Sequence, residues 1–261
     1  MDGQAPSVSP AELYARLGTA AAPVLVDVRR SDAFSKDGGL IVGAFHRPPE
    51  DVERWSEDIP GGRPVVAYCV HGHEVSQGVA ASLRRAGIKA AYLEGGIAAW
   101  KEAGLATRKK LGALEDKWVT REHPKIDRIA CPWLISRFIN PLAEFLYVPA
   151  DEVVAVAKKE GATPYDIKGA EFGHVGDRCS FDAIIRIFEI NDPALDHLAD
   201  IVRGADTSRP DLMPQCEGLL AISYGLSANY PDDHEMLRHG MTIYDALYTW
   251  CRMQNAQQGS R

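Results

Sequence analysis

The stretch from Val65 to Ser76 constrains the fold more than any other part of this chain. It opens with a short apolar run rich in β-branched residues, Val65 to Tyr68, which predicts a buried strand. The apolar spacing over residues 75–86 is helical, and Gly87 follows it as a stop signal. Cys69 therefore stands where a strand turns into a helix.

A cysteine in this position is a candidate nucleophile. A tight loop before a helix aims several backbone N–H groups at one point, and the helix N-terminus adds partial positive charge. Both features lower the pKa of a thiol and hold an anion attached to it. The competing interpretation of Cys69 is a buried, inert residue at a strand end, because free cysteine is often a small core residue.

Composition and charge limit the classes of protein to consider. The 261 residues suggest one large or two ordinary domains, and the 46% hydrophobic content predicts a packed core. A net charge of −7, with only one short basic run at residues 108–110, argues against a nucleic-acid partner. No stretch approaches the ~18 apolar residues of a membrane span, and no signal-peptide pattern is visible. The five cysteines are odd in number and far apart, which argues against a disulfide framework, so we expect a cytoplasmic protein without a membrane partner.

The first hundred residues alternate predicted strands and helices, the pattern of a parallel α/β sheet flanked by helices. A Ser-Pro-Ala-Glu run at residues 9–12 predicts a capped helix start. Residues 23–29 and 90–93 predict buried strands. Asp27 and Arg29 lie two positions apart and point to the same side of their strand, where we expect an ion pair that stiffens the following loop.

Four separated motifs in this half resemble those of a single-domain rhodanese: Val26-Asp27-Val28-Arg29, Gly43-Ala44, the loop from Cys69 to Glu74, and residues 93–100. The resemblance covers residues 9–106 and implies that Cys69 accepts a sulfane sulfur as a persulfide and passes it to a thiol acceptor. It implies no cofactor for this transfer, and a supporting role for Asp27 and Arg29. It further implies that the sulfur is cradled by the backbone of Val70, His71, Gly72, His73 and Glu74.

The loop differs from the family pattern at one point. Many rhodaneses carry an arginine here that pairs with an anionic donor such as thiosulfate, whereas this chain has Glu74, and a carboxylate repels a dianion. His71 and His73 either restore positive charge near neutral pH or are solvated loop residues. A phosphatase of the same fold is a weaker interpretation, because its longer loop ends in an arginine and none lies between Cys69 and Arg84.

The second half of the chain has a different pattern. Residues 107–116 are charged with weak periodicity and predict a linker between a domain of residues 1–106 and a second domain of residues 117–261. We expect the second domain to be a mostly helical α+β domain. Its predicted helices cover residues 129–139, 151–161, 181–188, 193–204, 213–226, 233–238 and 242–252.

Arginine, histidine and aspartate are concentrated at the start of the second domain, and this predicts an anion or metal site. The candidate residues are Arg121, His123, Asp127, Arg128 and His174, with Arg137, Asp206, Glu217 and His234 as further candidates. The alternative is that these side chains only pair with acidic groups at the domain boundary. The spacing does not identify any particular metal.

Residues 118–135, Gly173-His174, residues 179–182, 201–206 and 244–248 resemble the C-terminal domain of chromate-resistance proteins of the ChrB type. The resemblance spans residues 117–253 and implies a link to chromate sensing and resistance, with chromate or another oxyanion as ligand. In that family the domain follows a different N-terminal region. Because the rhodanese-like half replaces the part that would bind DNA, a transcriptional role is not implied.

Taken together, the sequence favours a cytoplasmic two-domain sulfurtransferase that carries sulfane sulfur on Cys69. Its partners would be a sulfur donor and a thiol acceptor, and its second domain would recognise an oxyanion or a metal in chromate or redox stress. The alternative is a non-enzymatic oxyanion or metal sensor that uses the rhodanese fold as a binding module.

Overall fold

The computed structural model describes residues 5–59, 62–112 and 116–259. The chain divides into two units, the first made mostly of residues up to Lys110 and the second mostly of residues from Leu111 onwards. Residues 113–115, which belong to the expected linker, lie outside the described residues. Within the described part of the chain, no helix has both the length and the apolar character needed to cross a membrane.

A five-stranded parallel sheet forms the centre of the first unit, as the alternating pattern predicts. The strands of this unit are β1 (Ser7–Val8), β2 (Val24–Asp27), β3 (Gly39–Ile41), β4 (Ala44–His46), β5 (Val65–Tyr68), β6 (Ala90–Leu93) and β7 (Thr107–Lys109). The sheet order is β1-β6-β5-β2-β4, whereas β3 and β7 pair separately and antiparallel. The helices are α1 (Pro10–Arg16), α2 (Ser31–Lys36), α3 (Val52–Trp55), α4 (Glu74–Arg85) and α5 (Gly96–Glu102), with short 3-10 turns at Pro49–Asp51 and Ser56–Asp58.

Strand β5 lies in the middle of this sheet, between β2 and β6. All four of its residues are buried, and so are the four residues of β2. Parallel strands that are covered on both faces consist of continuous apolar runs, which is why the sequence identified them. Because all the pairs are parallel, the carboxyl ends of β2 and β5 lie at the same edge of the sheet, and Cys69 follows β5 there.

The predicted capping box at the start of α1 is confirmed. The Ser9 hydroxyl accepts the N–H of Glu12 at 3.3 Å, and the Glu12 carboxylate accepts the N–H of Ser9 at 3.0 Å. These two bonds satisfy donors that a helix start otherwise leaves unpaired.

The expected linker begins later than the sequence suggests. Thr107–Lys109 forms strand β7, which pairs with β3 in the first unit. Arg108, which lies in the predicted linker, is only 2% exposed, and its guanidinium donates to the carbonyl of Ala44 at 2.9 Å. A guanidinium can be buried when backbone carbonyls accept its N–H groups, and such partners are not visible in the sequence.

The second unit is mostly helical and contains a three-stranded parallel sheet in the order β10-β8-β9. Its strands are β8 (Lys117–Arg121), β9 (Glu144–Val148) and β10 (Thr163–Pro164). Its helices are α6 (Asp127–Leu134), which continues into a π-helical turn at Ile135–Ile139, α7 (Val153–Glu160), α8 (Ser180–Ile187), α9 (Pro193–Asp206), α10 (Cys216–Asn229) and α11 (Asp233–Gly259).

Two glycines in this unit mark close packing inside helices. Gly204 was expected to end α9, but the helix runs to Asp206, and a Cβ at this position would collide with the Cys216 sulfur. The two helices predicted on either side of Gly240 form the single helix α11. A Cβ at Gly240 would collide with the side chain of Ile129 in α6. In both places a glycine lets neighbouring elements pack closely. Because glycine also commonly ends a helix, the sequence alone does not distinguish the two roles.

Candidate functional site

Cys69 directly follows the central strand β5 and is 7% exposed. Its sulfur lies 3.3 Å from the hydroxyl oxygen of Ser76, which is buried in the first turns of α4. The strand–loop–helix context predicted from the sequence is therefore present, with the thiol at the base of the loop.

Backbone hydrogen bonds to α5 orient the start of this loop. The carbonyl of Cys69 accepts the N–H of Ile97 at 3.0 Å, and the carbonyl of Val70 accepts the N–H of Ala98 at 3.0 Å. These donors are N–H groups that the first turn of a helix cannot pair internally. Because the two carbonyls point toward α5, N–H groups of later loop residues are free to face the sulfur.

The surroundings of the thiol favour its ionised form. Burial raises the pKa of Cys69. Hydrogen bonds from the Ser76 hydroxyl and from the backbone N–H groups of Ser76, His71 and His73 lower it by more, so that the pKa lies below its ordinary value. In the other four cysteines burial is the dominant effect, and the pKa lies above its ordinary value: Cys131, Cys179, Cys216 and Cys251. Cys69 is thus the thiol best prepared for nucleophilic chemistry.

Two glycines allow the loop to pack against the start of α5. Gly72 has a φ of +71°, and a Cβ there would lie 2.5 Å from the carbonyl oxygen of Leu93. Gly96 has a φ of +58°, and a Cβ there would collide with the carbonyl of Cys69. Both positions combine a left-handed backbone with a close approach of main chain, which only glycine accommodates without strain.

The segment after Cys69 carries three exposed titratable side chains. His71, His73 and Glu74 are exposed, and the two imidazole rings have their centroids 5.9 Å apart. Glu74 is the first residue of α4, where a carboxylate interacts favourably with the helix dipole. The acid that distinguishes this loop from the family pattern therefore also stabilises the helix.

The expected ion pair between Asp27 and Arg29 is present and buried. The two side chains approach to 2.5 Å, with exposed fractions of 0% and 1%. The Arg29 guanidinium also contacts the Asp37 carboxylate at 2.9 Å and donates to the carbonyl of Gly39 at 2.8 Å. Asp27 lies opposite Tyr68, the residue before Cys69, so this ion pair lies at the edge of the sheet from which the loop of residues 69–74 extends.

In the second unit, His174 lies among three carboxylates. Its Nε2 atom is 3.5 Å from Asp127, 3.4 Å from Asp166 and 3.2 Å from Asp206. Asp127 begins α6, and Asp206 ends α9. Asp166 follows β10 with a φ of +50°. We call these four residues the His174 cluster; ligand atoms of Asp127, His174 and Asp206 lie within 4.8 Å of one another, so these three could hold a metal ion.

The two arginines expected to bind an anion instead contact a carboxylate of this cluster. Arg121 lies 3.1 Å from Asp166, and Arg128 lies 3.3 Å from the same carboxylate oxygen. Arg128 also donates to the backbone carbonyl of Glu122 at 2.8 Å. The arginines therefore already have anionic partners within the protein, which weakens the case for an oxyanion between them.

His123 is placed elsewhere, contrary to expectation. Its side chain is 71% exposed and lies 3.9 Å from Asp233, and its backbone N–H donates to the same carboxylate at 3.1 Å. His123 occupies a turn with a φ of +53°, which directs the chain between β8 and α6. Its nearness in sequence to Arg121 and Asp127 therefore does not carry over to the cluster.

Ser180 is the first residue of α8, and its hydrogen bonds connect two carboxylates of the His174 cluster. Cys179 occupies the capping position, and its N–H donates to the Asp182 carboxylate at 3.0 Å. The Ser180 hydroxyl donates to Asp166 at 3.0 Å, and the Ser180 N–H donates to Asp127 at 2.6 Å. Ser180 thus fixes the orientation of two carboxylates from separate parts of the chain.

Burial and mutual charge shift the pKa values within the cluster. Asp127 and Asp166 raise the pKa of His174 to about 10. Burial, together with the charges of Asp127 and Asp166, raises the pKa of Asp206 to about 7. Burial opposes ionisation of Asp166, but His174, Ser180 and the two arginines outweigh it and lower the pKa of this carboxyl. The cluster therefore favours a positive charge at its centre.

A cavity of about 590 Å³ reaches the cluster from one side, and Arg121, Asp166, Lys168 and His174 are among its lining residues. Asp166 is the member of the cluster that the sequence did not reveal. It follows a proline in Pro164-Tyr165-Asp166, and aspartate tolerates left-handed backbone in turns, which was the only local signal for it.

Comparison with known proteins assigns each unit to a family. The family model "ChrB, C-terminal domain" matches residues 118–251, about half of the chain, and the model "Rhodanese-like domain" matches residues 9–103. Protein ChrB of Cupriavidus metallidurans is 34% identical over 134 residues. That match spans 51% of this chain and 40% of ChrB, which is less than half of that protein's length.

The first unit has its own relatives. Thiosulfate sulfurtransferase GlpE of Tolumonas auensis is 32% identical over 78 residues, which span 30% of this chain and 71% of GlpE. Among solved structures, a rhodanese-like domain from Anabaena is 32% identical and covers 41% of this chain and 80% of its own, with a TM-score of 0.36. A rhodanese-like domain protein from Staphylococcus aureus is 26% identical and covers 36% and 90%, with a TM-score of 0.33. This chain is therefore a member of the ChrB C-terminal domain family, with that domain fused behind a rhodanese-like domain.

Proposed function

We propose that this protein is a sulfurtransferase in which Cys69 carries a sulfane sulfur as a persulfide. The observation that carries this proposal is the convergence of the Ser76 hydroxyl and several backbone N–H groups on the Cys69 sulfur, which lowers the pKa of this thiol. The same donors would stabilise the negative charge of a persulfide. The similarity to GlpE, a thiosulfate sulfurtransferase, supports the same chemistry.

The reaction balances without a cofactor. The Cys69 thiolate attacks the outer sulfur of the donor, a new S–S bond forms, and the donor's own bond to that sulfur breaks. The leaving group departs with the electron pair, as sulfite from thiosulfate or as a shortened polysulfide. An acceptor thiolate then attacks the outer sulfur of the persulfide, and Cys69 returns as the thiolate.

The choice of donor depends on the charge around the loop. Glu74 is exposed at the start of α4, where its negative charge disfavours a dianion such as thiosulfate. His71 and His73 offset this charge when they are protonated. We therefore propose that a neutral or singly charged donor of sulfane sulfur, such as an organic persulfide, is used more efficiently than thiosulfate.

Transfer from a polysulfide to a thiol acceptor tests the proposal through two cysteine variants. Cys69→Ser should abolish turnover, because a serine cannot carry a persulfide, and it is nearly isosteric with cysteine. Cys251→Ser, which changes a buried thiol in α11, should retain turnover. Full turnover in Cys69→Ser, with another cysteine carrying the sulfur, would refute the assignment.

A non-enzymatic sensor is the second candidate, and the His174 cluster in the ChrB domain favours it. In this alternative the cluster binds a ligand, and the rhodanese-like unit acts only as a binding module. The two candidates differ in one observation: an enzyme passes the sulfur of Cys69 to an acceptor with turnover, whereas a sensor does not.

Membership in the ChrB domain family supports a setting of chromate or redox stress, in a reducing cytoplasm where the free thiol persists.

A further inference from the structure

We propose that the second unit binds a divalent first-row metal cation, of the Mn²⁺ class, between Asp127, His174 and Asp206. This site goes beyond sulfur transfer, since it uses a different unit of the chain and different chemistry. It also differs from the oxyanion site that the arginines of this region suggest.

The positions of the three ligand atoms fit a shared cation. Nε2 of His174 lies 3.2 Å from an Asp206 oxygen and 3.5 Å from an Asp127 oxygen, and the three ligand atoms lie within 4.8 Å of one another. Ligand atoms that each lie about 2.1 Å from one cation are at most about 4.2 Å apart. Binding would therefore draw the outermost pair together by no more than about 0.6 Å, which side-chain torsions can supply.

A buried carboxylate oxygen without a partner points independently to a ligand. Asp127 is 1% exposed, and its Oδ2 accepts the N–H of Ser180 at 2.6 Å. Its Oδ1 is buried and has no hydrogen-bond partner among the described residues. Leaving a buried carboxylate oxygen unpaired is costly, and coordination of a cation by both oxygens of Asp127 would remove that cost.

The neighbouring residues hold the ligands as the outer partners of a metal site do. Ser180 donates to both Asp127 and Asp166, so that these two carboxylates have fixed orientations. Asp166 in turn contacts both Arg121 and Arg128. Such outer hydrogen bonds orient the ligands and raise metal affinity.

Charge also favours a cation over an anion at this point. A bound cation takes the place of the protons in the cluster, so that the three aspartates then carry three negative charges and His174 is neutral. The two arginines that contact Asp166 carry two positive charges, and the cluster around the cation keeps one negative charge. A chromate or sulfate dianion at the same point would face the carboxylates of Asp127 and Asp206 directly, whereas a divalent cation is attracted by them.

The donor atoms indicate the class of metal. Carboxylate oxygens suit Mg²⁺, Ca²⁺ and Mn²⁺, whereas an imidazole nitrogen suits transition metals. A first-row transition metal that also favours oxygen ligands, such as Mn²⁺, accepts both kinds of donor. The cavity of about 590 Å³ beside His174 supplies an entry path and room for further water ligands.

The test measures Mn²⁺ binding to the full chain after treatment with a chelator. The paramagnetic resonance signal of free aqueous Mn²⁺ should decrease in proportion to protein, up to one equivalent per chain. Asp206→Asn should weaken binding by more than about 100-fold, because changes in outer partners alone cost about 10- to 100-fold. Asp211→Asn, an exposed carboxylate paired with Arg209, should leave the affinity unchanged.

Two further measurements keep the result decisive. The thermal unfolding midpoint of each variant without metal shows whether it is folded, and His174→Gln replaces Asp206→Asn if the latter fails to fold. Mn²⁺ should raise the midpoint of the wild-type chain and not that of the variants. An undiminished free Mn²⁺ signal with wild-type protein, or unchanged affinity in the folded variants, would overturn the site. Saturable binding of Mg²⁺ or Ca²⁺ with Mn²⁺ excluded would overturn the assigned class.

Discussion

The hydroxyl oxygen of Ser76 lies 3.3 Å from the sulfur of Cys69 and 3.2 Å from the carbonyl oxygen of His73. A serine hydroxyl has one proton to donate, so it can serve either the carbonyl or the sulfur. When Cys69 ionises, donation to the sulfur becomes the stronger bond, because hydrogen bonds to charged acceptors are stronger than neutral ones. Ser76 thus links the charge of the nucleophile to the start of α4.

This relationship predicts how the reactivity of Cys69 depends on pH. The thiolate is the reactive form, and its fraction rises as the pH passes through the pKa. Since the pKa of Cys69 is lowered, its alkylation by iodoacetamide should begin at a lower pH than that of an ordinary thiol. Ser76→Ala removes a stabilising donor, raises the pKa and should shift the rate profile to higher pH.

Peptide mass spectrometry after brief alkylation gives the profile for Cys69 alone. Ser82→Ala, at another position of α4, serves as the control and should leave the profile unchanged. Coincident profiles for wild type and Ser76→Ala would show that this hydroxyl does not stabilise the thiolate.

The second prediction concerns the backbone of the loop. Gly72→Ala places a Cβ against the carbonyl of Leu93 in a left-handed conformation, and should lower the free energy of unfolding by about 1–3 kcal/mol. Gly78→Ala, inside α4 with open space around it, should be neutral or stabilising by up to about 1 kcal/mol. Urea titrations measure both variants. Equal stability of the two would contradict the close approach of the loop to Leu93.

The third prediction tests whether charge at the loop selects the donor. Glu74→Arg should raise kcat/KM for thiosulfate more than for a neutral donor, because reversing a charge near a dianion contributes about 1 kcal/mol, or about fivefold. The difference should shrink as salt is added. Glu57→Arg makes the same charge change at another exposed position of this unit and should not separate the two donors. An equal change for both donors in Glu74→Arg would rule out selection by this residue.

The fourth prediction concerns the buried ion pair. Asp27→Ala leaves the Arg29 guanidinium buried without its closest partner, and should lower the free energy of unfolding of the first unit by about 3–5 kcal/mol. Asp32→Ala, an exposed acid in the first turn of α2, should cost only about 0.5 kcal/mol. The two units can unfold in separate transitions, so the free energy is taken from the transition of the first unit, which is the one that Gly72→Ala shifts. If Asp27→Ala changes the free energy of unfolding no more than Asp32→Ala does, the ion pair does not stabilise this edge of the sheet.

The sequence was most informative where a site is local. Strand β5, the loop after Cys69 and helix α4 are consecutive, so apolar periodicity and one glycine were enough to place the thiol. The capping box at Ser9 and the ion pair of Asp27 with Arg29 were predicted for the same reason. Each involves residues separated by no more than three positions.

Sites assembled from distant segments were less accessible. Asp127, Asp166 and Asp206 come from three separate parts of the chain, and only the packing of α6 and α9 brings the first and last together. His123 is near two of the expected residues in sequence, yet the turn after β8 directs it to Asp233. Periodicity reports which face of an element is buried, and it contains no information about which elements become neighbours.

The central claim, that Cys69 carries a sulfane sulfur, is tested most directly by labelling with sulfur-34. The chain is incubated with a polysulfide donor enriched in sulfur-34, alkylated, digested and examined by mass spectrometry. The peptide that contains Cys69 should gain the mass of one sulfur-34 atom and lose it when an acceptor thiol is added. Label on another cysteine, or on none of them, would contradict the account.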